Sequence, residues 1–233
     1  MIKNKKSMKK IVISLGGSLF AKEEMDLGYL KKFRELIVEN SKKYKFYIVT
    51  GGGNMCRIYQ GYAKKLSKAS SDDLDWIGIA VTRTNAMVFK SMFGKLADSE
   101  IFLTPSEAAK SKARVVVGGG WKPGWSTDYV AVEIAKLVKA DAVINLSNID
   151  YICDKDPNRY KDAKPYKEMT WGDLKALVGS KWIPGLNMPF DPIACKLAEK
   201  EGLTVVILNG KKLKNISKFF SNQQFLGTTV EGK

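Results

Sequence analysis

The chain has 233 residues, 45% of them hydrophobic and 10% aromatic, with a formal charge of +15, enough for one large domain or two small ones around a substantial core. No apolar run approaches the roughly 18 to 20 residues that cross a bilayer, and Cys56, Cys153 and Cys195 are too scattered for a disulfide framework or a zinc knuckle. Histidine is absent, which excludes Ser-His and Cys-His nucleophile pairs and the commonest general base and zinc ligand.

The cysteine usage leads to the expectation of a reducing, cytoplasmic compartment. The positive charge suits an acidic partner, but the lysines are spread along the chain and cluster only at residues 3 to 10 and 211 to 218. With no aromatic residues interleaved among them, they read as a solvated surface rather than a nucleic-acid patch.

In chain order, residues 1 to 9 read as a basic, solvated tail; the apolar stretch that follows is too short and lacks the cleavage site of a secretory signal. Short runs rich in Val and Ile then recur at "KIVISL" (10 to 15), "FYIVT" (46 to 50), "EIFLT" (100 to 104), "ARVVVG" (113 to 118), "ADAVINL" (140 to 146) and "LTVVIL" (203 to 208), and each predicts a buried strand. Helical stripes lie between them: Leu30, Phe33, Leu36 and Ile37; Ile58, Tyr59, Tyr62 and Leu66; Ile77, Val81, Thr84 and Val88; Val130, Ile134, Ala135 and Val138. Strands alternating with helices predict an α/β fold, a three-layer α/β/α sandwich around a mainly parallel open sheet. Residues 150 to 190 break the rhythm with prolines, charges and the aromatics Tyr151, Tyr160, Tyr166, Trp171 and Trp182, which predict an ordered lobe before the last strand.

Three predicted strands end in glycine clusters: "ISLGGSLF" (13 to 20), "VTGGGNMCR" (49 to 57) and "VVVGGGWKPGWSTD" (115 to 128). Such turns gather at the carboxyl ends of parallel strands, where ligands bind, and glycine lets backbone amides approach an anion. Neither the dinucleotide nor the Walker glycine spacing is present. Arg57, in the first turns of the helix after Gly53, could place a guanidinium over the same anion. Asp75 reads either as a helix-start carboxylate complementing the dipole or as an acceptor for a ribose hydroxyl. Asp150, Asp154 and Asp156 read either as metal or nucleoside contacts or as a polar, Asx-capped turn.

These motifs, together with "DWIGIAVTRTNAM", "ADAVINLSNIDYICDKDP" and "FDPIACKLAEKEGLTVVILNG", resemble the amino acid kinase superfamily and within it the UMP kinases of the archaeal type. The resemblance runs over residues 10 to 210. It implies transfer of the ATP γ-phosphoryl group to UMP with Mg²⁺, on a single domain whose acceptor part spans about 10 to 140 and whose ATP part spans about 141 to 233. It implies that Gly17, Ser18 and Arg57 are catalytic. Ser14, Leu15, Gly16, Gly53, Ser147, Cys153 and Asp156 would join those three around ATP, and Gly52, Asp75 and the loop Trp121, Lys122, Pro123, Gly124, Trp125, Ser126 and Thr127 would hold UMP. A homo-oligomer, by resemblance a hexamer, is implied too.

Some residues depart from the family pattern. Ser14 stands where many members carry a phosphate-binding lysine, for which Lys196 could substitute; Cys153 replaces an adenine-side tyrosine, and Trp121, Lys122 and Trp125 are unusual in the acceptor loop. Other small-molecule kinases of the superfamily, or a binding protein on the same fold, are the alternative readings. Isopentenyl phosphate and fosfomycin kinases place a histidine against the acceptor phosphate, and this chain has none.

Overall fold

The computed structural model describes residues 8 to 155, 157, 159 to 179 and 188 to 232. Its centre is a sheet of seven strands in the order β3-β2-β1-β4-β8-β9-β7: β1 Lys9–Leu15, β2 Tyr44–Thr50, β3 Val115–Gly118, β4 Ala142–Ser147, β7 Glu168–Thr170, β8 Val205–Asn209 and β9 Thr228–Glu231. The first five strands in that order are mutually parallel, β9 runs antiparallel to β8, and β7 runs parallel to β9. A two-stranded ribbon, β5 Ile152–Cys153 with β6 Pro165–Tyr166, stands apart.

Alternation along β1 shows why the sheet is covered on both faces. Ile11, Ile13 and Leu15 enter one apolar cluster and Val12 the other, as a period of two requires. The first cluster is closed by α1 (Leu27–Asn40), α8 (Leu213–Phe220) and the carboxyl half of α3 (Ser71–Phe93), through Phe33, Phe220 and Phe89. The second is closed by α5 (Thr127–Val138), α6 (Trp171–Val178) and α7 (Pro192–Lys200), through Val130, Leu174 and Ala194. The predicted three-layer sandwich is the observed one.

Five of the six predicted strands form. "EIFLT" does not: residues Ala97 and Phe102 make only isolated bridges to Val115 and Gly118, because Thr104 immediately caps a new helix, α4 (Pro105–Lys110), with proline in its first turn. The segment covers the open edge of β3 without extending the sheet. The strand at 203 to 208 is not the last, since β9 follows and turns back beside it. The region 150 to 190 holds the ribbon, β7 and α6; Trp182, Asp156 and most of "WIPGLNMPF" fall outside the described residues.

All four helices predicted from stripes are present, but two bury different faces. In α3 the buried positions are Ile79, Thr82, Asn85, Ala86, Phe89 and Phe93 rather than Ile77, Val81, Thr84 and Val88. In α2 (Gly53–Leu66) no residue is buried, and Tyr59, Tyr62 and Leu66 are exposed. Periodicity marks the helix, whereas the sheet's position decides which side it uses.

Phe89 sets the height of α3 over the sheet, packing edge-on against Phe20 at 4.7 Å and against Phe33 at 6.0 Å. Phe89→Ala is expected to cost about 3–5 kcal/mol, the scale of a truncated buried aromatic, seen as a lower urea midpoint with an unchanged slope.

Candidate active site

In the parallel part of the sheet the chain leaves β1 toward β2 on one side, while β4 lies on the other, so a crevice opens above the carboxyl ends of these strands. The turns after β1 and β2 meet there. A Cβ added to Gly17 would lie 2.1 Å from the Gly53 nitrogen, and one added to Gly51 would lie 2.6 Å from the Gly17 nitrogen. Gly53 has a φ of +68° and faces the Ala21 carbonyl, which would stand 2.3 Å from its Cβ. Only glycine fits either turn. The contact is stitched by main-chain hydrogen bonds: Gly51 N–H donates to the Leu15 carbonyl at 2.8 Å, Ala21 N–H to Gly17 at 2.8 Å, and Asn54 N–H to Ala21 at 2.8 Å.

The third glycine turn is held by α3. Thr82 Oγ1 accepts from Gly120 N–H at 2.8 Å and donates to the Ile79 carbonyl, while Arg83 donates to the carbonyls of Gly120, Trp121 and Leu103. Asn85 Nδ2 donates to the Gly51 carbonyl at 2.8 Å, so one helix braces the second and third turns. Asp75 is not at the helix start: the capping box there is Ser70 with Asp73. Instead Asp75 Oδ2 accepts from Gly124 N–H at 2.7 Å, pinning the Pro-Gly turn, where Gly124 has a φ of +82°.

Two hollows share this floor. One, of about 270 Å³, is lined by Gly52, Gly53, Asp75, Trp125, Ser126 and Thr127, together with Arg57, Cys56, Gln60 and the α3 face at Gly78, Ile79 and Thr82. The other, of about 500 Å³, is lined by Ser18, Ala21, Lys22, Glu23, Glu24, Asn54 and Arg57. Arg57 lines both.

The fold and these paired hollows have relatives. The model of the amino acid kinase family matches residues 9–209, most of the chain. The chain belongs to the amino acid kinase family. Among the relatives of this chain, a uridylate kinase of Methanobrevibacter smithii is 34% identical over 227 residues, covering 96% of this chain and 100% of that protein. One of Staphylothermus marinus is 35% identical over 208 residues, covering 88% and 92%. The crystal structure of uridylate kinase from Archaeoglobus fulgidus superposes with a TM-score of 0.84 at 32% identity, over 95% of this chain and 99% of that one.

Not every expected site residue reaches a hollow. Ser14 is buried and its Oγ donates to Asp128 Oδ1 at 2.7 Å; the Leu15 side chain is core, and its carbonyl is taken by Gly51. Lys196 is exposed on α7. Gly16 N–H donates to Leu146, so the first turn crosses to β4, whose last residue is Ser147. Asp150 pairs with Lys212 and accepts from Asn209 at 3.0 Å, and Asp154 accepts from the Lys164 amide at 2.8 Å, so these two carboxylates tie the loop to distant segments rather than capping a local Asx turn. Burial and the neighbouring Asp154 push the Cys153 thiol up.

The loop from Trp121 to Thr127 is more ordered than its composition suggests. Trp125 stacks on Tyr129 with centroids 3.9 Å apart, Ser126 caps α5, and Lys122 Nζ lies 4.3 Å from the Trp121 ring centroid. Trp121 packs against the core, and Lys122 rests on it outside both hollows. Sequence reading missed Lys22, Asn54, Gln60, Thr82 and Gly120 as site residues. No cue in the sequence marked Thr82 and Gly120 as partners, since the burial of Thr82 and its meeting with a glycine run 38 residues away are set by the tertiary structure.

Asp128 lies beneath this loop. It accepts from Ser14 and from Asn145 Nδ2 at 2.8 Å, and burial, only partly opposed by the Ser14 hydrogen bond, raises its carboxyl to about 6. An unfolded Asp titrates near about 3.9, so between those values the folded chain holds the extra proton and stability falls as pH rises. Asp128→Asn keeps the acceptor oxygen and removes the charge. It should abolish that descent and exceed the wild type at about pH 7.5, by at most about 3 kcal/mol. Paired melting curves at about pH 4.5 and about pH 7.5 check it.

Proposed function

We propose that this protein is a UMP kinase that transfers the γ-phosphoryl group of ATP to UMP, giving UDP and ADP for pyrimidine nucleotide synthesis. The observation that carries the reading is Arg57 on the wall shared by two hollows, the place where a group passing from donor to acceptor needs a cation. The uridylate kinases to which the chain is similar along nearly their whole length support the choice of acceptor.

In this reading UMP occupies the smaller hollow. Asp75, Gly52 and the Trp125 to Thr127 segment face the nucleotide, while Trp121, Lys122, Pro123 and Gly124 form the pinned turn behind them. The ATP phosphates lie over Gly16, Gly17 and Ser18 with Gly53 and Arg57 beside them, and Ser147, Cys153 and Asp156 serve the rest of ATP. The acceptor part is then about 10 to 140 and the ATP part about 141 to 233.

The attacking group is a phosphate oxygen, largely ionised at neutral pH because its second pKa is about 6. No general base is needed, which is why a chain without histidine suffices. The protein orients two phosphates in line and meets the charge on the transferring group with amides and cations.

Magnesium fits as an ion carried by the phosphates. Among the described residues no group of three or more ligand side chains forms a protein cage, while the Ser18 hydroxyl and the Glu23 and Glu24 carboxylates offer hard oxygen donors on the donor hollow. When bound it neutralises phosphate charge.

Assembly into a homo-oligomer, a hexamer in this reading, is supported by the exposed Tyr59, Tyr62 and Leu66 of α2 and Trp76 of α3. A cytoplasmic location is in keeping with three free cysteines.

Two variants and one panel test the reading. An ADP-release assay over UMP, CMP, dTMP, isopentenyl phosphate and carboxylate acceptors should favour UMP; equal rates across the nucleotides would defeat it. Arg57→Ala should lower kcat by about 10²–10³ with little change in melting temperature, because an exposed guanidinium acts on the transition state. Trp125→Ala should raise the KM for UMP about tenfold and leave that for ATP, the scale of one lost aromatic contact.

A further inference from the structure

We infer that Lys22 is a second phosphate-binding catalytic cation, acting with Arg57 on the transferring phosphoryl group; the inference rests on the phosphotransfer reading above. A transferring phosphoryl group spreads negative charge over three oxygens, and one cation does not surround it. The residue under the first glycine turn adds none: Ser14 is a buried neutral side chain engaged by Asp128. The hollow beside Ser18 has two cations on its wall, Arg57 and Lys22.

Lys22 is held there by its neighbour rather than by chance. Ala21 is buried, its N–H donates to Gly17 and its carbonyl accepts from Asn54, and an isolated bridge joins it to Met25. The residue before Lys22 is therefore tied to both glycine turns, and the exposed side chain starts at the rim of the hollow. Among the described residues no ion pair engages it. Glu23 and Glu24 line the same hollow, so the wall carries two positive and two negative side chains. Without Lys22 the side chains of this wall would carry one net negative charge, leaving Arg57 as its one cation beside whatever metal the carboxylates hold.

In the step itself a UMP phosphate oxygen bonds to the γ-phosphorus while the bond from that phosphorus to the β–γ bridging oxygen breaks, and the electron pair leaves with ADP. Lys22 donates hydrogen bonds to the peripheral oxygens and gives up no proton. It therefore acts most strongly in the transition state, and its loss should fall on kcat.

Steady-state kinetics of Lys22→Ala, Lys22→Arg and Lys32→Ala test this. Lys32 is an exposed lysine of α1 outside both hollows and controls for the loss of one unit of overall charge. Lys22→Ala should lower kcat about thirtyfold or more with the KM for ATP changed by less than about threefold, Lys22→Arg should recover most of the loss, and Lys32→Ala should match wild type. A kcat for Lys22→Ala within about threefold of wild type, no rescue by arginine, or an equal loss in Lys32→Ala overturns the inference. If wild type prefers an acceptor other than UMP, the acceptor assignment fails and the same comparison runs on that acceptor. If wild type turns over none, phosphotransfer fails, and calorimetric titration with inorganic tripolyphosphate decides Lys22. At least about fivefold weaker binding by Lys22→Ala then supports it, and equal binding overturns it.

Discussion

The arrangement depends on how closely two backbone turns approach each other. The turns after β1 and β2 touch at Gly17, Gly51 and Gly53, where a single methyl group would fall 2.1 to 2.7 Å from main-chain atoms of the facing turn. The close approach brings the amino-terminal end of α2, which carries Arg57 in its second turn, beside the turn that carries Ser18. Removing side chains at that point lets amides and a helix start converge on one small volume, the arrangement an anion requires.

The long helix α3 fixes the third turn and with it the shape of the smaller hollow. Its polar residues face turns instead of core: the buried Thr82 receives Gly120, the buried Asn85 holds Gly51, and the partly exposed Asp75 holds Gly124, while Thr50 at the end of β2 donates to the Thr82 carbonyl. Buried polar groups of this kind cost stability unless satisfied, and here each is spent on positioning a loop. The Trp-Lys-Pro-Gly-Trp insertion is ordered in the same way, by a stacked Trp125 and a Lys122 resting on Trp121. A decorated connection becomes a wall with little freedom to lose when a ligand arrives.

The chemistry follows from what the chain lacks as well as from what it holds. With no histidine and with Ser14 in place of a charged side chain, neither an imidazole proton shuttle nor a cation under the first turn is available. Phosphoryl transfer between nucleotides tolerates both, since its nucleophile is already an anion and its demands are alignment and positive charge. The cations that line the larger hollow, Arg57 and Lys22, stand on α2 and on the loop after Ser18.

Much of this was legible in the residues. Buried parallel strands announce themselves as Val and Ile runs, and β1, β2, β3, β4 and β8 were all readable, as were the glycine turns. "EIFLT" has the same composition yet only covers an edge, and β7 and β9 are too short and polar to stand out. The buried face of α3 was misread because Thr82 is inside to accept from the distant Gly120 amide and Asn85 to donate to the distant Gly51 carbonyl, which no periodicity reveals. The amino-acid sequence by itself determined the layered order, the helices and the glycine-rich turns, because hydrophobic period and backbone freedom are local properties. That Gly17 meets Gly53, that Asp75 reaches Gly124 rather than capping its helix, and that Ser14 serves Asp128 were decided only in the tertiary structure. Each of these pairs lies 36 to 114 residues apart in the chain, and their meeting depends on how the strands are ordered across the sheet.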